Sequence, residues 1–422
     1  MDYQPRIVDS ELDTLFSGLP AISLEGAKGV GKTATAEQRV TATIALDSRT
    51  TRRSVDAEPE IVLTRPTPLL IDEWQLVPEV WDVVRRAVDR DRTPGRYLLT
   101  GSALPPPTAR IHSGAGRIIR LLMRPMTLPE RGVCSPTVSL TELLAGGRLQ
   151  ISGRCALKLP DYAQEILASG FPGIRQDPAD LRASTIDSYI DELLDRDVPE
   201  LGAVRRPQAL RAWLTAYAAA TATMTSYSRI LDAATPGESD KPARSTVDAY
   251  RATLQRVWLL DPLPAWIPVF NPLTRLSQAP KHHLVDPAIA GRLLGTTIDS
   301  LLMADGPYET RREDTLLGAL FESLATLTLR VLAQPLRANV CHLRTQRGEH
   351  EIDIIVERSD HKVLALEVKL TSAPTVSDAR HLNWLQEQLG DALIDKVIIC
   401  TGEYAYRQED GTAIVPLGLL GP

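Results

Sequence analysis

The sequence is poor in cysteine, in aromatic residues and in long uncharged apolar runs. Its 422 residues include four cysteines, Cys134, Cys155, Cys341 and Cys400, and no pair of them has C-x-x-C spacing. Scattered cysteines argue against a disulfide framework and against a zinc site, and they fit a reducing compartment. No uncharged apolar run reaches the roughly 18 residues of a membrane helix, and the first residues lack a signal-peptide pattern. We therefore predict a cytoplasmic protein without a membrane segment.

The sequence also lacks an excess of positive charge. Its formal net charge is −6 at pH 7, so nucleic-acid binding would need a local cluster of basic residues. A chain of this length exceeds one ordinary hydrophobic core, so two or three domains are expected. A candidate basic cluster between residues 110 and 131 consists of Arg110, Arg117, Arg120, Arg124 and Arg131.

A complete G-x-x-x-x-G-K-[ST] phosphate loop is the most informative motif. An apolar strand precedes it and a helix follows it, which is the context that the motif requires. Lys32 would reach the β- and γ-phosphates of ATP, and the Thr33 hydroxyl would bind Mg²⁺. The alternative is a glycine-rich turn without a ligand. The predicted nucleotide-binding residues are Gly26, Ala27, Lys28, Gly29, Val30, Gly31, Lys32 and Thr33.

Two further strands end in residues suited to ATP hydrolysis. One ends in Asp72 and Glu73, where Asp72 would hold the Mg²⁺ shell and Glu73 would polarise the attacking water. The second acid favours hydrolysis over a small-molecule kinase, although solvated strand-end acids are the alternative. The other strand ends near Thr100 and Ser102, either of which could sense the γ-phosphate if this strand lies between the first two.

The alternation of strands and helices predicts an α/β protein with three parts. Residues 1–135 would form a parallel-sheet P-loop NTPase domain, in which 47–60 are expected to be loop. Residues 136–304 show helical spacing of apolar residues and would form a helical domain. Residues 305–422 would form an α/β domain with a long helix followed by strands.

The C-terminal strands carry a second set of candidate catalytic residues. Period-two alternation places Asp353 on one strand of a hairpin, and Glu367 and Lys369 together on one face of the next. This pattern resembles the PD-(D/E)-x-K nuclease-like superfamily of restriction-endonuclease-like fold. The resemblance implies Mg²⁺ held by Asp353 and Glu367, a water activated by Lys369, and an extra acidic residue at Glu322. Solvated charged strands are the alternative.

The N-terminal motifs resemble an AAA-type ATPase family of bacteria and archaea with a C-terminal domain of uncharacterised role. The resemblance rests on 26–33, on Asp72-Glu73-Trp74-Gln75, on Leu99-Thr100-Gly101-Ser102 and on the segment from Gly116-Arg117 to Glu130. It implies ring assembly as a homo-oligomer. It also makes Arg117 a candidate for stabilising γ-phosphate charge, in cis or from a neighbouring subunit; a solvated arginine is the alternative.

The middle part carries landmarks of the same family at Ser169-Gly170-Phe171-Pro172 and at Lys281-His282-His283-Leu284-Val285-Asp286-Pro287. Residues 227–250 resemble a helix-turn-helix within a winged-helix-like unit, with a recognition-helix equivalent near Thr246. Few basic residues accompany that helix: Arg251 lies on it, and Lys241 and Arg244 precede it. A helical packing module is therefore favoured over DNA contact. The two histidines are interpreted as structural, because neighbouring strand residues point to opposite faces.

Together these patterns predict a Mg²⁺-dependent ATPase coupled to DNA or RNA binding or cleavage by the C-terminal domain. The alternative is a nucleotide-controlled switch that binds a protein partner and carries a non-catalytic C-terminal domain.

Overall fold

The computed structural model describes residues 3–105, 112–147, 150–200, 207–235, 243–266, 279–303, 315–345 and 348–422. At the N-terminal end, five parallel strands form a sheet in the order β2-β3-β4-β1-β5, as the alternating pattern predicted. The β4 strand lies between β3 and β1. Its C-terminal end is therefore next to the phosphate loop after β1 and to the acids at the end of β3. The strands are β1 (Ala21–Glu25), β2 (Ala42–Ala45), β3 (Leu69–Asp72), β4 (Tyr97–Gly101) and β5 (Ile119–Leu122).

The prediction of loop for residues 47–60 was wrong. A helix spans Arg49–Ala57, and a 3₁₀ helix follows it at Pro59–Thr64. Val55 and Val62 are buried in the hydrophobic cluster on one side of the sheet, and these two contacts anchor a segment that is otherwise polar. Because this segment has so few apolar residues, their spacing does not show the 3.6-residue period of a helix. The other helices of this part are Val8–Gly18, Lys32–Glu37 and Glu79–Arg90.

The middle of the chain is helical, as its apolar spacing predicted. A short strand, β6 (Val138–Ser139), precedes it and pairs with β13 (Leu420–Gly421) at the C-terminal end of the described chain. A π-helical turn, Leu193–Asp197, continues the helix Arg182–Glu192. A winged-helix arrangement stays a prediction. The helices are Leu140–Ala145, Leu159–Leu167, Pro172–Gln176, Arg182–Glu192, Val198–Glu200, Pro207–Ala219, Tyr227–Ala234, Arg244–Arg256, Pro287–Leu293 and Ile298–Leu302.

The C-terminal part packs a long helix, Leu316–Ala333, against a six-stranded mixed sheet in the order β11-β12-β10-β9-β8-β7. Within the described ranges this helix alone has the length and apolar composition to cross a membrane, and 78% of it is buried inside the protein. Another helix, Arg380–Leu389, lies between β9 and β10 in the chain. The strands are β7 (Asn339–Arg344), β8 (Glu351–Glu357), β9 (Val363–Val368), β10 (Leu393–Cys400), β11 (Tyr406–Arg407) and β12 (Ala413–Pro416).

Candidate nucleotide-binding site and C-terminal carboxylate cluster

The phosphate loop connects β1 to the helix Lys32–Glu37 and requires glycine at its turns. Gly26, Gly29 and Gly31 have φ angles of 151°, 83° and 101°, which residues other than glycine rarely adopt. A Cβ atom on Gly26 would lie 2.2 Å from the carbonyl oxygen of Met123. The glycines of the motif are therefore required by the backbone path itself.

Lys32 lies inside the curve of this loop. Its side chain is buried, and its Nζ donates hydrogen bonds of 2.9 Å to the carbonyl oxygens of Gly26 and Ala27. Burial lowers the pKa of Lys32 to about 8, and the nearby carboxylates of Glu73 and Asp72 oppose that shift. The loop thus holds an ammonium group where phosphate oxygens would bind.

Asp72 and two hydroxyl groups form an oxygen-rich cluster beside Lys32. Thr33 Oγ1 donates to Asp72 Oδ1 at 2.8 Å, and Thr100 Oγ1 donates to the same oxygen. Burial raises the pKa of Asp72, and the two hydroxyl hydrogen bonds oppose the rise. A carboxylate and a hydroxyl in contact are the hard oxygen donors that Mg²⁺ prefers, so the predicted pair Thr33 and Asp72 fits this ion.

Glu73 belongs to a second cluster at the same sheet edge. Its backbone is left-handed, with φ 55° and ψ 44°, which turns it away from the direction of β3. Ser102 Oγ donates to Glu73 Oε2 at 2.6 Å, and Gln75 Nε2 donates both to that oxygen and, at 3.2 Å, to Ser102 Oγ. The two predicted sensor hydroxyls therefore serve different acids: Thr100 contacts Asp72, and Ser102 contacts Glu73.

Arg6 contacts the phosphate loop and was missed by sequence reasoning. Its guanidinium is buried, donates to the carbonyl oxygen of Val30 at 2.8 Å and pairs with Glu130 Oε1 at 3.0 Å. An isolated arginine near the N-terminus carries no signal of such a contact. Arg117, by contrast, precedes β5 and pairs with Asp89 at 2.8 Å, so its role towards the γ-phosphate stays a prediction.

The middle domain contacts the phosphate loop directly. A Cβ atom on Gly29 would lie 3.6 Å from the ring of Phe171, and one on Gly31 would lie 3.6 Å from Pro172. Lys28 Nζ pairs with Asp197 at 3.1 Å across the same boundary. The sequence identified Phe171 and Pro172 as a family landmark, and their position beside the loop appears only in the fold.

The buried carboxylate of Asp286 holds Ser169 and Gly170, the two residues that precede Phe171. Ser169 Oγ and the Gly170 backbone N–H donate to Asp286 Oδ2 at 2.8 and 2.6 Å. Asp286 Oδ1 accepts from the N–H of Ala288 at 2.8 Å and so caps the helix Pro287–Leu293. Two landmarks that are far apart in the sequence therefore meet next to the phosphate loop.

The candidate basic cluster between residues 110 and 131 does not present free positive charge in the part of the chain that is described. Arg110 lies outside the described residues. The other members each pair with a carboxylate: Arg117 with Asp89, Arg120 with Glu25, Arg124 with Asp261 and Arg131 with Glu165. The proposed recognition-helix residue Arg251 pairs with Asp248 and lies 4.8 Å above the Tyr227 ring, while Lys241 is outside the described residues.

The C-terminal candidates meet on the paired strands β8 and β9. The antiparallel register pairs Ile354 with Leu366, and its continuation places Asp353 opposite Glu367. Lys369 Nζ lies 3.4 Å from Glu367 Oε2. Burial, followed by the Asp353 charge, raises the pKa of Glu367 well above its ordinary value.

A lysine that was not among the predicted site residues occupies this cluster. Lys281 Nζ lies 2.9 Å from Glu322 Oε1, 2.9 Å from Asp353 Oδ1 and 3.2 Å from Glu351 Oε1. Against the cost of burial, these carboxylates hold the pKa of Lys281 well above its ordinary value, and Lys281 helps to lower that of Asp353 to about 2. Burial raises the pKa of Glu322 to about 8 despite this contact. The sequence offered Lys281 only as a family landmark.

The arrangement does not fit a divalent metal. No group of three or more His, Cys, Asp and Glu side chains in the described ranges is placed to hold a metal ion. Asp353 Oδ1 faces the Lys281 ammonium, and Asp353 Oδ2 accepts from the N–H of Val368 at 2.9 Å. A metal role for Asp353 and Glu367, and catalysis by Glu322 and Lys369, stay predictions.

Comparison with protein families divides the chain into three matched segments. Residues 19–131 match the model of an AAA domain. Residues 159–300 and 317–420 match the models of two domains of unknown function, DUF8612 and DUF4143. The AAA match supports the predicted AAA-type nucleotide-binding ATPase domain.

Two relatives match over most of the chain. They are the uncharacterized proteins Mb2031c of Mycobacterium bovis and Rv2008c of Mycobacterium tuberculosis, each 28% identical over 364 residues. The alignments cover 85% of this chain and 71% of each relative.

Two solved structures have a weak likeness to the chain. The Aeropyrum pernix ORC2 protein, in ADPNP and ADP complexes, has a TM-score of 0.29 and 15% identity, covering 71% of this chain and 95% of that one. The McrB AAA+ hexamer with bound McrC from Thermococcus gammatolerans has a TM-score of 0.17 and 15% identity, covering 43% and 64%. What the chain is similar to is therefore an AAA domain followed by two domains of unknown function.

Proposed function

We propose that this protein is a Mg²⁺-dependent ATPase whose nucleotide state is transmitted to its middle domain. The observation that carries the proposal is the meeting of two hydrogen-bonded acids at one sheet edge beside the phosphate loop. Asp72 contacts Thr33 and Thr100, and Glu73 contacts Ser102 and Gln75. Separate surroundings for the two acids suit separate tasks, metal binding and water activation.

The residues of the site divide the work of hydrolysis between them. Lys32 would leave the loop carbonyls to bind phosphate oxygens, because a phosphate offers the ammonium a charged partner. Thr33 and Asp72 would hold Mg²⁺, which neutralises phosphate charge when bound. Glu73, oriented by Ser102 and Gln75, would take the proton of the attacking water.

Transmission to the middle domain is supported by the packing of Phe171 and Pro172 on the loop glycines and by the Lys28–Asp197 ion pair. A loop that moves when Lys32 changes partners must repack against these side chains. This geometry favours the nucleotide-controlled switch, whose protein partner and assembly into a homo-oligomer are parts of the proposal.

The test of hydrolysis uses two substitutions in the full chain. We expect Lys32→Ala to abolish ATP binding, measured by titration calorimetry, and Glu73→Gln to bind ATP without turning it over. The control is Lys362→Ala, which changes an exposed lysine in the C-terminal part of the chain. Normal turnover by purified Glu73→Gln would refute the assignment of the base.

The test of transmission compares Phe171→Ala with Phe171→Leu. Removing the ring should change ATP affinity and the nucleotide-dependent protection of the helix Pro172–Gln176 in hydrogen exchange, and leucine should restore part of both. Protection that is identical with and without ATP in the natural protein would contradict the switch.

Nucleic-acid binding or cleavage is the second candidate function. The meeting of Asp353, Glu367 and Lys369 on β8 and β9 favours it, whereas the Lys281 ammonium at Asp353 Oδ1 opposes its metal-dependent form. If the protein cleaves DNA or RNA with Mg²⁺ or Mn²⁺, that cleavage should vanish in Asp353→Ala and in Lys369→Ala. ATP hydrolysis should also be measured with single- and double-stranded DNA and RNA. Cleavage unaffected by both changes, or a rate of hydrolysis unaffected by any nucleic acid, would contradict this candidate.

A further inference from the structure

We propose that Lys281 is a built-in cation that takes the place of a divalent metal in the C-terminal carboxylate cluster. The cluster consists of Glu322, Glu351, Asp353 and Glu367. The inference concerns the C-terminal domain and does not depend on ATP hydrolysis.

The Lys281 ammonium group is surrounded by carboxylate oxygens. An ammonium has three N–H donors. Three carboxylate oxygens, one each from Glu322, Asp353 and Glu351, lie within 3.2 Å of Lys281 Nζ, two of them at 2.9 Å. The side chain of Lys281 is 1% exposed, so water does not replace any of these partners.

The backbone of Lys281 is fixed as firmly as its side chain. Its N–H donates to the carbonyl oxygen of Leu263, and its carbonyl accepts from the N–H of Leu263, both at 2.9 Å. The next two residues extend the attachment to both sides: His282 contacts the carbonyl of Thr225 at 2.6 Å, and His283 contacts Ser323 at 3.2 Å. The lysine is therefore held in the cluster from the middle domain.

Charge decides between the lysine and a metal. A divalent cation bound to Asp353 Oδ1 would lie close to the ammonium that already contacts this oxygen at 2.9 Å. Two positive charges at such a distance in a buried site repel strongly. Alternatively, the metal would have to displace Lys281 from its carboxylates. That displacement would leave a buried ammonium without charged partners. The cluster thus joins the middle and C-terminal domains and does not hold a metal.

The test measures Mn²⁺ binding to the full, nucleotide-free chain by electron paramagnetic resonance. We expect the natural protein and Asp353→Asn to bind the same amount of Mn²⁺, because the cluster contributes no site. Lys281→Met should gain one Mn²⁺ site, and the double variant Lys281→Met/Asp353→Asn should lose it again. Lys362→Met, which removes an exposed lysine, should behave as the natural protein does.

Several results would overturn the inference. A Mn²⁺ site in the natural protein that Asp353→Asn removes would show that the cluster holds metal beside Lys281. A folded Lys281→Met that gains no site would show that the lysine does not stand where a metal would bind. If Lys281→Met does not fold, the comparison of the natural protein with Asp353→Asn decides alone, and Glu322→Gln replaces Asp353→Asn if that variant is unfolded.

Discussion

At the scale of single residues, the two acids of the nucleotide site differ in their neighbours more than in their chemistry. Asp72 is the last residue of β3 and accepts from two threonines, whereas Glu73 turns into a left-handed conformation and meets Ser102 and Gln75. That backbone conformation is uncommon for a residue other than glycine and costs of order 1–3 kcal/mol. The hydrogen bonds from Ser102 and Gln75 hold the Glu73 carboxylate in this position, from which we propose that it acts as the general base.

Ser102 gives a prediction at this scale. Ser102→Ala should leave ATP affinity unchanged and lower kcat by about 10- to 100-fold, because a base that is poorly oriented loses much of its effect. Steady-state kinetics with separate measurement of ATP binding checks the split between kcat and affinity. Ser113→Ala, a change at an exposed serine, is the control. A loss of affinity with unchanged kcat would instead favour direct contact of Ser102 with the nucleotide.

At the scale of elements, the sheet order determines which side chains meet. Strand β4 lies between β1 and β3, so its end lies beside the start of the phosphate loop, and Thr100 and Ser102 contact the acids that follow β3. Parallel strands place their carboxyl ends at one edge of the sheet, where ligands of α/β proteins bind. The phosphate loop that follows β1 packs directly against the backbone of Met123. This close approach is possible because Gly26 has no side chain.

Gly26 gives a prediction at the scale of the loop. Gly26→Ala should lower both thermal stability and ATP affinity, since its Cβ would lie 2.2 Å from the Met123 carbonyl and must displace the loop. Forcing such a conformation costs roughly 1–3 kcal/mol. Differential scanning fluorimetry and nucleotide titration measure the two effects. Gly18→Ala, where a new Cβ meets nothing within 4 Å, should change neither.

At the scale of the whole molecule, a largely buried ion cluster joins all three parts of the chain. The Asp261 carboxylate pairs with Arg124 Nε at 2.7 Å and with Arg330 Nη1 at 2.8 Å, so it links the segment after β5 to the long C-terminal helix. Gln334 adds contacts of 3.1 Å to Glu11 and 2.9 Å to the carbonyl of Leu122. These contacts join the N-terminal sheet to the long C-terminal helix.

Asp261 gives a prediction at this scale. Asp261→Asn should destabilise the protein by about 3–5 kcal/mol, because two largely buried arginines lose their charged partner. Chemical denaturation measures the change, and Asp360→Asn, which removes a partly exposed pair with Arg358, should cost much less. An Asp261→Asn variant as stable as the natural protein would show that the cluster contributes little.

The pH dependence of the same cluster has a definite sign. The two arginines hold the pKa of Asp261 below its ordinary value despite its burial. The stabilising contribution of Asp261 is therefore fully present above the unfolded pKa of about 4 and is lost as the pH falls through the lower folded pKa. The stability difference between the natural protein and Asp261→Asn should shrink below about pH 4, as thermal melts across that range would detect.

The phosphate loop and the strand ends beside it were predictable because short motifs in a fixed order along the chain specify them. A phosphate loop needs glycines and a lysine at fixed spacing, and strands that end in Asp-Glu or in hydroxyl residues show where their carboxyl ends lie. The hairpin with Asp353 and Glu367 was equally readable from its period of two. The helix Arg49–Ala57 was missed because its helical pattern rests on a single buried valine.

What the sequence alone determined, then, is the local chemistry of each motif and the strands that carry it. Only the tertiary structure decided which motifs meet: Phe171 with the phosphate loop, Ser169 with Asp286, and Lys281 with Asp353 and Glu322. These pairs are separated by long stretches of chain, and spacing along a sequence carries no information about such contacts. The burial that gives Lys281 its role arises when the middle and C-terminal domains pack together, because only then do its carboxylate partners become its neighbours.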